Sequence, residues 1–456
     1  MFLRLFNAYA LYPIAEKLQH RRIRSKLRIL RHHVGRPFEE RRTQQLQRLG
    51  QVLRLAADSV PYYRELFAQT AFDPGKVETD PSYLRLLPYL TKDIIRREGK
   101  RLLSEGYPQN VLHVRKTGGS TGPSALIYYS QEALDWTAAV NLLVLEWTGK
   151  KRHWKEVHLS TRFPGRIPFR DRLKESIKCL ALNRTNVLTD QLDNQGLAKL
   201  WNELRRARPY LVQGHPSTVW ALSRFVRKQG YDTRGVLQVF ESTGEVLDPT
   251  KRRLIQETLN CQVINRYGNA EFGVIAYSPE PEEDNYLRLL DFMVWPEVEA
   301  TKDGPPELIF TGLTNTAMPL IRYRTGDKGE LRQDGEGFSL CNLVGRVHEM
   351  VRVGERLYPT HYFQDLLDKI GGITEFQILD RNDGHPVLKI VPEDFESGEA
   401  LSKRVTEWLR VNVEVMIVDV DGLNRVGRNR KFCHVVRETS EHGPTGTEPV
   451  SPLSSG

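Results

Sequence analysis

Apolar residues recur at helical spacing through the first part of the chain. The clearest stripe, at intervals of three and four positions, consists of Leu46, Leu49, Val52, Leu53 and Ala56. Intervals of this kind place side chains on one face of a helix. A helical residue before proline is disfavoured, so Val60-Pro61 ends this helix. We therefore predict that residues 1–70 are helical.

Short apolar runs alternate with helical stretches in the middle of the chain. The predicted strands are 156–159, 210–212, 236–240 and 262–265. The predicted helices are 130–147, 193–206, 216–230 and one opening at Asp248-Pro249. Thr91 and Ser130 stand where N-caps are expected. This alternation favours an α/β fold with layers of helices around a parallel sheet.

The pattern changes twice towards the end of the chain. Beyond Tyr286 strand signals dominate, which predicts a smaller barrel or sheet appended to the α/β layers. At Gly345-Arg346 a small α+β unit begins, with the predicted order strand, helix, two strands, helix, strand. The predicted domains are thus 1–345, whose first 70 residues are helical and basic, and 346–437. Residues 438–456 are rich in Ser, Gly, Pro and Thr, which is typical of a disordered tail.

The length, charge and cysteine content of the chain argue against several classes of protein. A chain of 456 residues is too long for one core. The net charge of +9 is concentrated in the arginines and lysines between residues 17 and 54. No aromatic interleaving or nucleic-acid motif accompanies them, so we expect a solvated helix face and no nucleic-acid partner. The four cysteines form no C-x-x-C pair, which argues against a zinc ribbon or a disulfide framework and favours a cytoplasmic protein.

The N-terminal segment leaves a second interpretation open. Its apolar residues Phe2, Leu3, Phe6, Tyr9 and Leu11 could insert into an anionic lipid surface as an interfacial helix. The segment lacks the long apolar stretch of a signal peptide, and no run in the chain is long enough to span a bilayer. A weak membrane-surface contact is therefore an alternative to a plain solvated face.

A glycine-rich stretch, Lys116-Thr117-Gly118-Gly119-Ser120-Thr121-Gly122-Pro123-Ser124, lies between two strand-like runs. Glycine lets backbone N–H groups approach a ligand closely, and the hydroxyl groups add donors. This combination suits a polyphosphate, although a flexible surface turn has the same composition. It is neither a Walker loop nor a G-x-G-x-x-G motif.

Four further stretches accompany the glycine loop. They are Arg266-Tyr267-Gly268-Asn269-Ala270-Glu271, Tyr323-Arg324-Thr325-Gly326-Asp327, the boundary segment 345–359 and the basic loop 425–431. A carboxylate beside a turn glycine can hold Mg²⁺ while phosphates supply the other ligands. A carboxylate on a turn at Asp327 could accept both hydrogen bonds of a ribose diol. Each stretch alone is an ordinary turn, and their joint order carries the inference.

In this order the stretches resemble the adenylate-forming superfamily of acyl-CoA synthetases and adenylation domains. Within it, the chain is most similar to the phenylacetate–CoA ligase branch, especially its capsular-polysaccharide-associated members. The segments 60–64 and 242–245 carry the same resemblance, which extends to about residue 437. The resemblance implies a large adenylate-forming domain followed by a small C-terminal lid.

The resemblance also implies a two-step reaction with ATP, Mg²⁺ and, in most relatives, coenzyme A. A carboxylic acid becomes an acyl adenylate, and a nucleophile then takes the acyl group. By this resemblance the phosphates lie on Thr117, Gly118, Gly119, Ser120, Thr121 and Gly122. The nucleotide is further bordered by Gly244, Glu245, Tyr267, Gly268, Asp327 and Arg346, and Glu271 holds the metal. The expected catalytic residues are Thr121, Arg428 and Lys431.

The chain departs from the family pattern at three positions. Pro123 stands where many relatives carry a lysine after Thr-Gly, and His348 replaces the usual hinge residue. Arg428 stands where relatives carry a lysine that bridges the carboxylate and the α-phosphate, and a guanidinium is bulkier than an ammonium. Lys431 would substitute if the loop is shifted.

Three functions therefore remain open from sequence. The first is a carboxylate–CoA ligase, and the second transfers the acyl group to an amine or hydroxyl instead. The third is a nucleotide-binding protein without catalysis. The acid, the acceptor and the oligomeric state are not specified by any motif.

Overall fold

The structure is a computed structural model of the whole chain. It describes all residues except 118–124, 161–168, 190, 191, 193, 248, 279–285, 302–304, 345–349, 382–383, 394–397, 410–412, 420–421, 427–430, 433 and 438–456. Among the helices of these described residues, none has both the length and the apolar character needed to cross a bilayer.

Helices dominate the N-terminal region and recur between the parallel strands. The α-helices are α1 (Phe2–Phe6), α2 (Tyr12–Leu18), α3 (Ile23–Val34), α4 (Phe38–Ser59), α5 (Pro61–Gln69), α6 (Lys92–Glu98), α7 (Gln131–Trp147), α8 (Phe169–Ala181), α9 (Asn194–Ala207), α10 (Pro216–Gln229), α11 (Pro249–Leu259), α12 (Thr360–Ile370) and α13 (Gly398–Leu409). A π-helical turn, Asn7–Leu11, joins α1 to α2.

The predicted helix boundaries are confirmed at several positions. The helix α4 ends at Ser59, and α5 begins at Pro61, where a missing N–H costs nothing. Ser130 caps α7 by accepting a hydrogen bond from the backbone N–H of Ala133 (3.1 Å). Thr91 caps α6 in the same way.

The strands fall into one large sheet and several small ones. They are β1 (His113–Lys116), β2 (Leu126–Tyr129), β3 (Glu156–Ser160), β4 (Arg184–Leu188), β5 (Leu211–Gly214), β6 (Val239–Ser242), β7 (Gln262–Asn269), β8 (Gly273–Tyr277), β9 (Tyr286–Leu289), β10 (Val294–Glu299), β11 (Glu307–Gly312), β12 (Tyr323–Asp334), β13 (Gly337–Val344), β14 (Met350–Val353), β15 (Arg356–Pro359), β16 (Ile373–Asp380), β17 (Val387–Pro392), β18 (Glu414–Ile417), β19 (Arg425–Val426), β20 (Lys431–Phe432) and β21 (Val435–Arg437).

The large sheet has eleven strands in the order β10-β11-β12-β13-β9-β8-β7-β6-β5-β3-β4. Strands β3 to β7 pair in parallel, and α8 to α11 lie between them in sequence. Parallel neighbours need such crossover helices, and this explains the alternating pattern of the sequence. The predicted α/β class is confirmed.

The strand-rich region beyond residue 286 was expected to form a smaller barrel or sheet appended to the α/β layers, whereas its strands continue the large sheet. Strand β9 pairs with β8, and β13 pairs with β9, so the antiparallel strands continue the large sheet. Side chains of β12 nevertheless touch β7, although three strands separate them. Four strand spacings in a flat sheet would span about 19 Å. The antiparallel half must therefore curl towards β7.

Three hydrophobic cores support these layers. The first lies between the N-terminal helices, α7 and the antiparallel strands. The second packs α9, α10 and α11 against the parallel strands. The third belongs to the C-terminal unit, where α12 and α13 pack on the sheet β18-β17-β16-β21. Each core buries the apolar faces of amphipathic helices and strands. This packing fixes the helices and strands, and it thereby positions the loops that connect them.

The C-terminal unit differs from its predicted element order at both ends. After α13 the strands β18 to β21 follow, where one strand was predicted. A hairpin of β14 and β15 precedes α12, where a single strand was predicted. Two residues, Gly354 and Glu355, connect its strands, and Gly354 has φ +59°. A positive φ suits the tight turn of a short hairpin, and glycine adopts it without steric cost.

Candidate functional site

Two of the predicted motifs, and the strand that follows a third, meet through hydrogen bonds of tyrosine hydroxyls. Tyr129, at the end of the strand that follows the glycine loop, donates to the carbonyl oxygen of Ala270 (2.5 Å). Tyr323 donates to Glu271 Oε1 (2.6 Å), and Tyr267 donates to Asp327 Oδ2 (2.7 Å). The segments 266–271 and 323–327 thus hold each other reciprocally, with the glycine-loop flank bonded beside them.

The carboxylate of Glu271 lies in the turn between β7 and β8. The residue is only 6% exposed. The turn is shaped by Asn269, whose side-chain oxygen accepts the backbone N–H of Phe272 (2.9 Å). Among the described residues, only Oε1 of Glu271 accepts a hydrogen bond, which leaves Oε2 for a cation.

A carboxylate in this position fits a magnesium ion that is bound mainly by a substrate. Within the described ranges there is no group of three His, Cys, Asp or Glu side chains that could hold a metal by itself. Mg²⁺ in nucleotide sites commonly uses one or two protein carboxylates, and phosphates and water complete its octahedron. Glu271 is the residue that would hold it here.

Asp327 lies within a strand. The prediction that Thr325-Gly326-Asp327 forms a turn is therefore wrong. The segment belongs to β12, and the register of β12 shifts against both neighbouring strands near it. Gly326 has φ +79°, a conformation that glycine permits and that suits such an irregularity. Thr325 anchors it by donating to the Leu308 carbonyl (2.8 Å) and accepting the Asp327 N–H (3.1 Å).

The Tyr267 hydroxyl remains a donor throughout the physiological range. Burial, and then the charge of Asp327, raise the pKa of Tyr267 well above its ordinary value. The proton therefore stays on the hydroxyl and is donated to Oδ2 of Asp327. This bond orients the carboxylate, and no described residue donates to Oδ1, which could therefore accept from a diol.

Gly268 allows β7 and β8 to approach closely beside these carboxylates. A Cβ at this position would lie 2.4 Å from the carbonyl oxygen of Gly273 and 2.9 Å from Val274 Cα. Both atoms belong to the backbone, which cannot move aside cheaply. A side chain here would push the strand pair apart next to Glu271.

The predicted residues Gly244 and Glu245 lie at the carboxyl ends of the parallel strands. In the sheet register, Gly214 of β5 pairs with Ser242 of β6, so the loops after both strands are neighbours. Glu245 accepts hydrogen bonds from the backbone N–H (3.0 Å) and the hydroxyl (2.7 Å) of Ser217. This edge of an α/β sheet is the general location of ligand sites.

His215 lies between these two loops. Its Nδ1 is 3.6 Å from Glu245 Oε1, and its ring is close to Gly244. A Cβ at residue 244 would lie 2.6 Å from Cε1 of His215. With φ +81° as well, position 244 requires glycine for both conformation and space.

Thr117 closes the base of the glycine loop. Its backbone N–H donates to the carbonyl oxygen of Ala125 (2.9 Å), and its hydroxyl accepts the N–H of Ala125 (2.9 Å). The two ends of the loop are therefore bonded to each other. The predicted phosphate-contacting residues Gly118, Gly119, Ser120, Thr121 and Gly122 lie outside the described residues, as does Pro123.

The predicted residues of the domain boundary and the basic loop mostly lie outside the described residues. Arg346, His348 and Arg428 are not described. The backbone of Lys431 is described, in β20, which pairs with β19. The roles expected for these residues stay predictions.

Several residues that support the site were not predicted as site residues. The fully buried Tyr63 donates to the Pro319 carbonyl (3.0 Å) and accepts the N–H of Ile321 (3.1 Å), so it braces the segment entering β12. Tyr129 and Tyr323 are the others. Tyr63 and Tyr323 lie inside motifs that the sequence singled out, but their partners are distant in sequence.

Lys116 connects the glycine-loop strand to the C-terminal unit. Its Nζ donates to the carbonyl oxygen of Ile373 (2.9 Å) and to Glu393 Oε1 (2.6 Å). Ile373 begins β16 and Glu393 follows β17, so the contact lies at one end of the two central strands of the C-terminal sheet. The C-terminal unit therefore rests directly beside the entrance to the glycine loop.

Comparison with known proteins finds relatives over most of the chain. No protein-family model matches it. It is 25% identical to a phenylacetate-coenzyme A ligase of Pseudomonas putida over 439 residues, covering 86% of this chain and 93% of the relative. It is 22% identical to Protein CapK of Staphylococcus aureus over 319 residues, covering 68% of this chain and 69% of CapK.

A solved structure of similar fold is the 2-hydroxyisobutyryl-CoA ligase in complex with 2-HIB-AMP and CoA in its thioesterification state. It superposes with a TM-score of 0.57 at 20% identity and covers 88% of this chain and 90% of the ligase. At this identity the likeness establishes the fold alone. The chain is thus similar to phenylacetate–coenzyme A ligases over most of its length, and it shares the fold of the 2-hydroxyisobutyryl-CoA ligase.

Proposed function

We propose that this chain is an AMP-forming ligase that activates a carboxylic acid with ATP and transfers the acyl group to coenzyme A. The observation that carries the proposal is the reciprocal pair Tyr323–Glu271 and Tyr267–Asp327 beside the flank of the glycine loop. It brings together a carboxylate suited to a metal, a carboxylate suited to a diol and the strand that follows the glycine loop. The relative from Pseudomonas putida and the solved structure of similar fold are both named as coenzyme A ligases, which agrees with this chemistry.

In the first step an oxygen of the acid attacks the α-phosphorus of ATP, and pyrophosphate leaves. The chain contributes positioning and charge stabilisation to this step, because phosphoryl chemistry needs little covalent help. The N–H groups of the loop after Thr117 would hold the phosphates, and Asp327 would accept hydrogen bonds from the ribose. Glu271 would hold Mg²⁺, which supplies positive charge to the phosphates when bound.

In the second step the thiol sulfur of coenzyme A attacks the acyl carbon, and AMP leaves with the bonding electron pair. We assign residues 346–437 the role of a lid that serves both steps. The lid would bring the loop around Arg428 to the nucleotide and withdraw it afterwards. Arg346, at the boundary, would lie beside the ribose. Because ATP and coenzyme A are cytoplasmic, the proposed place of the reaction is the cytoplasm.

The cation of the basic loop is tested by three variants. If Arg428 pairs with the α-phosphate, Arg428→Ala should nearly abolish pyrophosphate release, and Arg428→Lys should raise it, since an ammonium needs less room. If Lys431 has taken that role, Lys431→Ala is the damaging change and Arg428→Ala is mild. Equal pyrophosphate release by all three variants and the parent would remove the loop from the mechanism.

Product analysis tests the proposed reaction. The protein is incubated with ATP, Mg²⁺ and a panel of aryl, alkyl and hydroxy acids, with and without coenzyme A, and products are identified by mass spectrometry. We expect AMP and an acyl-CoA when coenzyme A is present, and an acyl adenylate when it is omitted. When an amine or an alcohol replaces coenzyme A in the incubation, formation of an amide or ester with release of AMP would support the alternative acceptor. ATP binding with no product from any acid would support a nucleotide-binding protein.

A further inference from the structure

The N-terminal helical segment presents apolar side chains to solvent. Its exposed residues include Phe2, Leu3, Phe6 and Tyr9, and Phe2 is 83% exposed. The opposite side of the segment is attached to the protein, since Asn7 and Ala8 are buried. The segment is therefore docked on the fold with its apolar face outward, rather than inserted into a core.

A second helix beside it has the same character. In α8 the residues Phe169, Leu173, Ile177 and Leu180 recur at intervals of four, four and three, so they form one stripe. All four are exposed, by between 39% and 68%. Together, segment 1–18 and α8 carry about half of the exposed large apolar side chains among the described residues.

Direct hydrogen bonds hold these two helical elements together. Asn183, just after α8, donates from Nδ2 to the carbonyl oxygen of Arg4 (3.1 Å). Its Oδ1 accepts from Nδ2 of Asn7 (3.2 Å). The two apolar surfaces are therefore fixed as neighbours. We call residues 1–18 and 169–181 together the apolar platform.

Positive charge lies immediately beside the apolar platform. A groove of about 780 Å³ runs from Tyr9 along α3 to residues 150–152. Some of its cations are paired within the protein, as Arg21 is with Asp135 and Arg24 with Glu16. Lys17, Arg22 and Arg28, all exposed, form no ion pair with any described residue.

We propose that the apolar platform and its cationic groove bind the surface of an anionic phospholipid bilayer. Apolar side chains at the acyl boundary together with Lys and Arg at the headgroups form the two signals that interfacial binding requires. A second copy of the chain is a poorer occupant. A two-fold contact of this surface with itself would bring like charges together. The contact places the protein on the bilayer surface.

Vesicle co-sedimentation tests this proposal. The probes are vesicles of phosphatidylcholine alone and of phosphatidylcholine and phosphatidylglycerol in equal parts. The full chain should sediment with the mixed vesicles and not with phosphatidylcholine alone. Raising the salt from about 0.1 M to about 0.5 M should weaken binding, because it screens the charge contribution.

Two sets of variants separate the apolar contribution from the charge contribution. Phe2→Ser/Leu3→Ser/Phe6→Ser removes apolar contact, and Leu86→Ser/Val111→Ser/Val298→Ser is its control at exposed positions elsewhere. Lys17→Glu/Arg22→Glu/Arg28→Glu reverses charge, and its control is Arg205→Glu/Arg227→Glu/Lys228→Glu. The Phe2/Leu3/Phe6 variant and the Lys17/Arg22/Arg28 variant, which we call the platform variants, should each bind the mixed vesicles at least about tenfold more weakly than the parent. Both control variants should bind like the parent. Unchanged thermal melting of the variants shows that their fold is kept.

Three results would overturn the proposal. They are no binding of the parent to the mixed vesicles, binding that the platform variants retain, and binding that the control variants lose equally. Light scattering on the same samples tests self-association. A parent dimer that the Phe2/Leu3/Phe6 variant dissociates, without vesicle binding, would assign the platform to a contact between copies.

Discussion

Tyr323 and Glu271, 52 positions apart in the chain, are joined by a hydrogen bond of 2.6 Å between the phenol hydroxyl and Oε1. Both residues are buried. The bond fixes one oxygen of the carboxylate and directs the other away from Tyr323. Its reciprocal partner, Tyr267–Asp327, joins the same two segments in the opposite sense. The geometry of each carboxylate therefore depends on a tyrosine of the other motif.

Removal of the Tyr323 hydroxyl should affect both stability and the metal. In Tyr323→Phe the buried Glu271 carboxylate loses its donor, which should cost about 1–3 kcal/mol of unfolding free energy. The freed carboxylate should also hold Mg²⁺ less well, so more Mg²⁺ is needed for half-maximal pyrophosphate release. The control is Tyr286→Phe, which removes a tyrosine–carboxylate bond to Asp334 (2.9 Å) at an exposed position of the same sheet. Equal Mg²⁺ dependence of the two variants would contradict the role of Tyr323.

Asp327→Ala should weaken ATP binding. The loss of two charge-assisted hydrogen bonds to the ribose is expected to cost about 2–4 kcal/mol, or about 30- to 900-fold in Kd. Isothermal titration calorimetry measures this directly. Asp334→Ala, which removes an exposed carboxylate from the same strand, serves as the control. Parent-like ATP affinity of Asp327→Ala would remove the residue from the nucleotide site.

Gly244→Ala should destabilise the protein more than Gly230→Ala. Both glycines have positive φ, +81° and +65°, so each substitution brings a similar backbone penalty. Only at position 244 would the new Cβ meet a neighbour, His215 Cε1 at 2.6 Å, whereas nothing lies within 4 Å at position 230. We expect a difference of about 1–3 kcal/mol in unfolding free energy. Equal melting curves for the two variants would show that His215 moves aside at no cost.

The ion pair of Lys116 and Glu393 should hold the C-terminal unit against the glycine-loop strand. Glu393→Gln removes one charge of this pair, so the unit should leave this position more often. Paired spin labels at positions 205 and 399, introduced as unnatural amino acids, would report a broader distance distribution than in the parent. Glu414→Gln, which breaks an ion pair with Arg381 (3.1 Å) inside the C-terminal unit, is the control. Parent-like distances in Glu393→Gln would show that the pair does not hold the unit.

The same pair of labels tests whether the C-terminal unit swings. Addition of ATP and a carboxylic acid to the parent should shift the distance distribution, because closure of such lids completes catalytic sites. A distribution that stays unchanged with both substrates would count against a mobile lid.

The sequence predicts the fold class and the motif order well, because both rest on local patterns. The alternation of strands and helices from residue 156 to residue 265 follows from hydrophobic periodicity and caps. The strand order does not, since β9 pairs between β8 and β13, and such pairings depend on contacts distant in the chain. For the same reason the partners of Tyr129, Tyr267 and Tyr323 could not be read from sequence. At Gly326 the local pattern is misleading. The motif indicates a turn, but Gly326 adopts its positive φ at an irregular position within strand β12.

In the proposed reaction, Glu271 holds the metal that assists activation of the carboxylic acid. Acid-dependent exchange of labelled pyrophosphate into ATP measures this role, with the parent compared with Glu271→Gln over a range of Mg²⁺ concentrations. Gln keeps an acceptor for Tyr323 and removes only the charge, so thermal melting should change little. We expect the parent to catalyse exchange only when both acid and Mg²⁺ are present. The exchange rate of the variant should be lower by at least about tenfold, which corresponds to an activation barrier higher by about 1.4 kcal/mol. Equal exchange by parent and variant at every Mg²⁺ concentration would remove Glu271 from the metal site, and no exchange by the parent with any acid would contradict formation of an acyl adenylate.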